Sequence, residues 1–223
     1  MVVAFAVVAL QSNGGGGGSS GSDSIVPDDG SQLTELAEGE PIAEPGDFRD
    51  SPEGPTDLPS LDLAEELSDA GSSRSDAEAF AVEFLHLIVD TREEMDVDKM
   101  VETLVAEDAD PATVSYFETS LARNKGSEIR RVWRTNEESW IRTQTIGDPE
   151  RPDSISVEIA FSLGLDQDDD FRTWVTHRID LVRDDDAWRV SRVTFRTLDY
   201  APPDDAPISQ ALDGTGWRQL TLS

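Results

Sequence analysis

Cysteine is absent from all 223 residues, which excludes disulfides and zinc–thiolate sites. Basic residues are scarce, 18 against 47 acidic, and Lys99 and Lys125 are the only lysines. The resulting formal charge of −29 repels phosphate backbones and anionic lipid, so direct nucleic-acid binding is not expected. His86 and His177 are the only histidines, which leaves general-base chemistry near neutral pH few candidates. No apolar run reaches the ~20 residues of a membrane-spanning helix. At 37% hydrophobic residues, part of the length builds no core. An arginine-for-lysine, aspartate-rich balance fits either a GC-rich genome or a salt-adapted organism.

What is present first is "MVVAFAVVAL", nine apolar residues after the initiator, followed by "QSNGGGGGSS". A secretory signal needs a basic start and a small-residue cleavage site, and no Lys or Arg precedes Arg49. Residues 1–10 read as the remnant of a truncated membrane anchor; a short apolar element docking on the domain is the plainer alternative. With an anchor there, and no basic cluster following it, the rest of the chain is expected outside the cytoplasm.

Residues 11–75 read as a disordered Gly/Pro/acidic linker. Pro27, Pro41, Pro45, Pro52, Pro55 and Pro59 interrupt helix and ladder, and residues 1–75 carry 15 acids against Arg49 and Arg74. "SQLTELAEGE" and "LPSLDLAEEL" place leucines at helical spacing inside it. They are expected to be transient helices of a tether, with docking on a partner or on the domain as the functional alternative.

A folded domain is expected over 76–200. Ser75 with Glu78 makes a capping box ahead of the run that carries Phe80, Phe84, Leu87 and Ile88. A second helix is expected over about 97–106. The third takes Asp110 as N-cap and Pro111 in its first turn, spaces Phe117 and Leu121 four apart, and stops at Gly126. The period then changes to two. "SISVEIAFSLGL" puts Ile155, Val157, Ile159 and Phe161 on one face, and "FRTWVTHRIDLV" does the same with Val175, His177, Ile179 and Leu181. In "WRVSRVTFRTL" the inward set changes parity between Val190 and Val193, which predicts a β-bulge. Upstream, "IRRVWRTNEESWIRTQTIG" reads as one long bent strand or two short ones. The fold class is α+β: three N-terminal helices packed on a curved antiparallel sheet of four or more strands. Residues 201–223 are a C-terminal tail, loop-like until "GWRQLTL", which docks Trp217 and Leu220.

This order, ending in "DDAWRVSRVTF", resembles the nuclear transport factor 2-like cone fold. With an N-terminal anchor and an acidic tether, the whole is similar to the extracytoplasmic domains of bitopic conjugation and type IV secretion components, including the TcpC family. That resemblance implies a single-pass cell-membrane protein acting as a non-enzymatic scaffold or assembly component. Its partners would be proteins of a membrane complex and further copies of the same chain. TcpC-type proteins carry two such domains in tandem, whereas this chain has room for one. Two alternatives share the cone: a small-molecule-binding or isomerase/dehydratase-like member, and a Mce-associated-type membrane protein.

The catalytic alternative would use the cone's cavity, where His86, Tyr116 and His177 are the candidate residues. Asp180 is opposite in parity to His177 and should not share its face. No catalytic residue, cofactor or metal site is assigned. The turns "DQDDD" and "DDD" lack the glycine and glutamate of an EF-hand loop, and aspartate is an ordinary turn residue. Trp188 is expected in the core. Trp174 points away from the apolar layer, and with Trp217 it is the candidate interface.

Overall fold

The computed structural model describes residues 53–55, 58–121, 128–135, 138–148, 151–196 and 217–220. The apolar start, the linker up to residue 52, the expected helix stop at Gly126 and most of the C-terminal tail lie outside them. Among the described residues four α-helices precede the strands: α1 (Leu61–Asp69), α2 (Arg74–Val89), α3 (Val97–Leu104) and α4 (Pro111–Tyr116), with a π-helical turn over Phe117–Leu121. The strands are β1 (Arg131–Trp133), β2 (Trp140–Asp148), β3 (Arg151–Leu165), β4 (Asp168–Asp184), β5 (Ala187–Arg196) and β6 (Arg218–Gln219).

Each helix opens on a side-chain cap that satisfies an orphan backbone N–H. Ser60, Asp96 and Asp110 cap α1, α3 and α4, and Pro111 fills the first turn of α4. The capping box of α2 lies two residues earlier than expected. Ser73 accepts from Asp76 N at 3.2 Å while Asp76 accepts from Ser73 N at 2.9 Å. Glu78 is taken elsewhere, accepting from Arg74 at 2.7 Å and from Arg218 at 2.6 Å.

Helix α1 corrects the expected linker boundary. Its nine residues lie where the sequence reading placed tether, yet Ala64 and Ser68 are buried. Glu83 of α2 accepts from Ser60 N at 2.9 Å, and Ser68 Oγ donates to Trp188 O at 2.9 Å on β5. Tertiary contacts hold this short helix, with Leu61 and Leu67 also packed against the core.

The strands form one curved antiparallel sheet in the order β5-β4-β3-β2-β6, with β1 pairing the far end of β3. The upstream segment is thus two strands, β1 and β2, of the two readings its pattern allowed. The C-terminal stretch is also part of the sheet, since β6 pairs β2 and Leu220 is buried. Ile155, Val157, Ile159, Phe161, Ile179, Leu181, Val190 and Val193 share the inner face and pack with Phe80, Phe84, Leu85 and Ile88 of α2. The expected bulge is present: Asp180 pairs Arg192 while Leu181 pairs Val190, leaving Ser191 as the extra residue. The α3–α4 connection takes up the freed backbone groups. Ala106 N donates to Val190 O at 2.9 Å and Asp110 N to Ser191 O at 2.8 Å. Among the described residues no helix is long and apolar enough to cross a membrane.

Candidate functional site

His86 lies near the C-terminal end of α2 and has no exposed surface. Its spacing puts Glu83 and Asp90 on the same helix face. Glu83 Oε2 is 3.8 Å from Nδ1 and Asp90 Oδ2 is 3.5 Å from Nε2, long ion-pair contacts on both sides of one ring. Asp90 is itself held in place, accepting from Arg92 Nη2 at 2.9 Å and from the Trp133 backbone N at 3.3 Å. Burial acts to lower the His86 pKa, but the two carboxylates outweigh it and hold the imidazole above its ordinary value. Burial likewise acts to raise Asp90, and His86 and Arg92 outweigh it, so this carboxyl sits below the usual range.

His177 is buried on the inner face of β4 between two rings. Phe161 is centred 5.4 Å away and Phe195 4.5 Å away, the latter edge-on. Burial pushes this imidazole down to about 3, and the nearby Arg131 adds to the effect. Tyr116, at the end of α4, meets Phe195 at 4.5 Å. Its phenol is raised by burial, against the opposing influence of Arg131.

The three candidates do not converge on a shared space. They are spaced along a line of rings in contact: His86 on Trp133 at 6.0 Å, Trp133 stacked on Phe161 at 4.3 Å, then His177, Phe195 and Tyr116. Trp133 and Phe161 fill the interval between the two histidines. Asp180 stands on the opposite face, as its parity requires, accepting from Arg178 Nε at 2.8 Å and from Ser156 Oγ at 2.5 Å. A cleft of about 440 Å³ opens beside the end of α2, lined in part by Leu87, Asp90, Glu93, Asp96, Leu121 and Arg130. His86, Tyr116 and His177 are not among the residues that line it.

The two interface candidates do come together. Trp174 and Trp217 pack with Trp140 about Ala160 on the outer face of the sheet, away from the helices. The register explains why: Trp140 pairs Ala160, Ala160 pairs Thr176, and Trp174 pairs Ser162. Trp140 was not singled out from the sequence, although its two-residue offset from Arg142 placed it in the same row. Arg142 lies over the Trp217 ring, 5.0 Å from its centroid, and its Nε donates to Glu158 at 2.9 Å. Arg134 crosses Gly164 on this face, where a side-chain Cβ would collide with its guanidinium. It donates to Asp168 O at 2.9 Å and to Leu165 O at 3.2 Å. Both acidic turns are hairpin turns, and Asp185 takes a φ of 55° in the second. Among the described residues no three His, Asp or Glu side chains converge as a ligand set.

Compared with known proteins, the chain matches no family model, no curated protein and no solved structure.

Proposed function

We propose that this chain is a non-enzymatic scaffold component of a membrane-associated transfer or secretion complex. In this reading a cone-type α+β domain is held outside the cytoplasm by the apolar N-terminus and an acidic linker, and it assembles with partner proteins and with its own copies. The single observation that carries it is the line of rings joining His86, Trp133, Phe161, His177, Phe195 and Tyr116. Catalytic use of such a fold needs a base, an acid and a substrate gathered around one cavity, and here packed side chains occupy the space between the candidates. The helix-then-meander order supports the cone, and the tryptophans of the outer face supply the large rigid anchors that protein interfaces use.

The test is made on cells expressing the native gene. Membrane fractionation, protease accessibility from outside and cross-linking in intact cells are each expected to place the domain on the outer side of the membrane in an assembly. A cytosolic, monomeric protein would overturn the reading.

A further inference from the structure

Arginines in this acidic chain ordinarily find a carboxylate: Arg74, Arg92, Arg142 and Arg178 each make an ion pair. Arg131 makes none among the described residues. Its backbone is fixed, N donating to Thr91 Oγ1 at 2.8 Å and O accepting from Thr91 N at 2.9 Å. It stands two residues from the core ring Trp133 on β1, so it shares the inner side of the sheet, and it is half-buried. Its guanidinium lies near enough to Tyr116 and His177 to act on the ionisation of both. A cation partly withdrawn from water costs free energy until a counter-charge meets it. With 47 acids in the chain, the missing partner is not for want of carboxylates.

The walls beside this cation are apolar. Phe195 lies opposite His177 in the ladder, with ring centroids 4.5 Å apart, and is also 4.5 Å from the Tyr116 ring. It is 45% exposed, the one ring among the exposed large apolar side chains of the described residues. Leu163 and Val175 are half-buried on the same inner face. Burial keeps His177 neutral, so its imidazole adds a ring edge and no competing charge. Apolar walls with a few placed polar groups are what small-molecule sites combine. The cleft beside α2 differs in kind, because Asp90, Glu93 and Asp96 in its lining repel an anion.

We propose that Arg131, Tyr116 and Phe195 form a binding site for a small organic acid, a carboxylate carried on a ring-sized apolar body. The guanidinium takes the carboxylate through its paired N–H donors, the Tyr116 hydroxyl donates to the same group, and the body lies against Phe195 and the edge of His177. The site is at the exposed end of the ring line, so it needs no room between Trp133 and Phe161. It stands whether or not the scaffold reading does.

The test titrates phenylacetate, and separately its uncharged analogue phenylacetamide, into the full chain while NMR follows the imidazole signals at pH 7.5. The chain has two histidines, so the His177 signal is assigned by its loss in His177→Leu. Phenylacetate is expected to shift that signal saturably and to leave His86, on the far side of Trp133 and Phe161, almost unmoved. Phenylacetamide is expected to bind about ten-fold more weakly or worse, the effect of losing hydrogen bonds to a charged group. Arg131→Gln should lose the same factor for phenylacetate, and Tyr116→Phe, which keeps the ring, a smaller one. An amide that binds as tightly as the acid, an Arg131→Gln protein that binds like the parent, or a His177 signal that does not respond at millimolar acid would each overturn the proposal. The acid–amide comparison is made on the parent, so it decides the matter even where a variant does not fold.

Discussion

His86 Nε2 and Asp90 Oδ2 stand 3.5 Å apart, one helical turn from each other, with neither side chain exposed. The pair ties the end of α2 to the sheet, because the same carboxylate accepts from the Trp133 backbone N and from Arg92. Removing one partner of a buried pair costs about 3–5 kcal/mol, because the other charge is left uncompensated. Asp90→Ala is therefore expected to lower stability by about that much in urea denaturation. A loss under ~1 kcal/mol would show that water replaces the carboxylate at no penalty.

The pair also shapes the pH profile. His86 is raised in the fold, so its contribution is fully present below its unfolded pKa near 6.5 and is lost as pH rises through the higher folded value. Asp90 is lowered, so its contribution is present above 3.8 and is lost as pH falls through the folded value. The denaturation midpoint of His86→Gln, compared with the parent between pH 6 and 9, is expected to show a flatter alkaline decline. An unchanged slope would place the alkaline loss elsewhere.

His177 works in the opposite direction. It stays neutral in the fold, with a pKa held down to about 3, while the unfolded chain binds a proton from about 6.5 downward. Stability is lost as pH falls across that interval, and the penalty at pH 5 is about 2 kcal/mol. His177 Nδ1 has no hydrogen-bond partner, so replacing the imidazole sacrifices none at that atom. His177→Leu is expected to match the parent within ~1 kcal/mol at pH 7.5 and to exceed it by about 2 kcal/mol at pH 5. Equal losses at both pH values would mean that ring packing on Phe161 and Phe195 dominates.

Much of the sheet was legible because a period of two is a strong signal. The inward row of Ile155, Val157, Ile159 and Phe161 and the parity switch around Ser191 were readable residue by residue. The leucine spacing of α1 was legible but read as a transient helix of the tether. Its fixing on the domain was not, because Ala64 and Ser68 are buried, Leu61 and Leu67 pack on the core, and its hydrogen-bond partners lie more than twenty residues away. The cap of α2 was misplaced because both Ser73 and Ser75 precede an acid by three residues. Glu78 is instead engaged by Arg74 and Arg218, which leaves Asp76 to close the box. The candidate site was half legible. Residue types picked out His86, Tyr116 and His177. That Trp133 and Phe161 lie between them follows from strand pairing, Trp133 opposite Leu163, which sequence spacing does not reveal.

Phe161 is the middle of the ring line, stacked on Trp133 and packed against His177 with no exposed surface. Phe161→Ala removes a ring that its neighbours cannot collapse to replace, and such deletions cost about 3–5 kcal/mol. Calorimetry is expected to show that loss. If the ring line fills the interior, the cavity made by Phe161→Ala should bind a small aromatic such as benzene and recover part of the melting temperature, while the parent shows no such response. A parent that gains stability from the same ligand would reveal existing space and favour the binding alternative.

Just past the β5 bulge, one backbone N–H is satisfied by a hydroxyl from α4. Thr113, 2% exposed in the first turns of α4, accepts from Val193 N at 3.0 Å, just beyond the extra residue Ser191. β5 is the edge strand, so that N–H, donating away from β4, depends on α4, and a buried donor left unsatisfied costs about 1–3 kcal/mol. Thr113→Val keeps shape and volume while removing the acceptor, so its effect isolates the hydrogen bond from packing. Stability is expected to fall by about 1–3 kcal/mol, with amide exchange at Val193 accelerating more than at Ile179 on the neighbouring strand. Thr113→Ser, which keeps the oxygen, should recover slow exchange at Val193 even though it loses a methyl group. If Ser and Val variants exchanged alike, the methyl rather than the hydroxyl would be what holds α4 against the bulge.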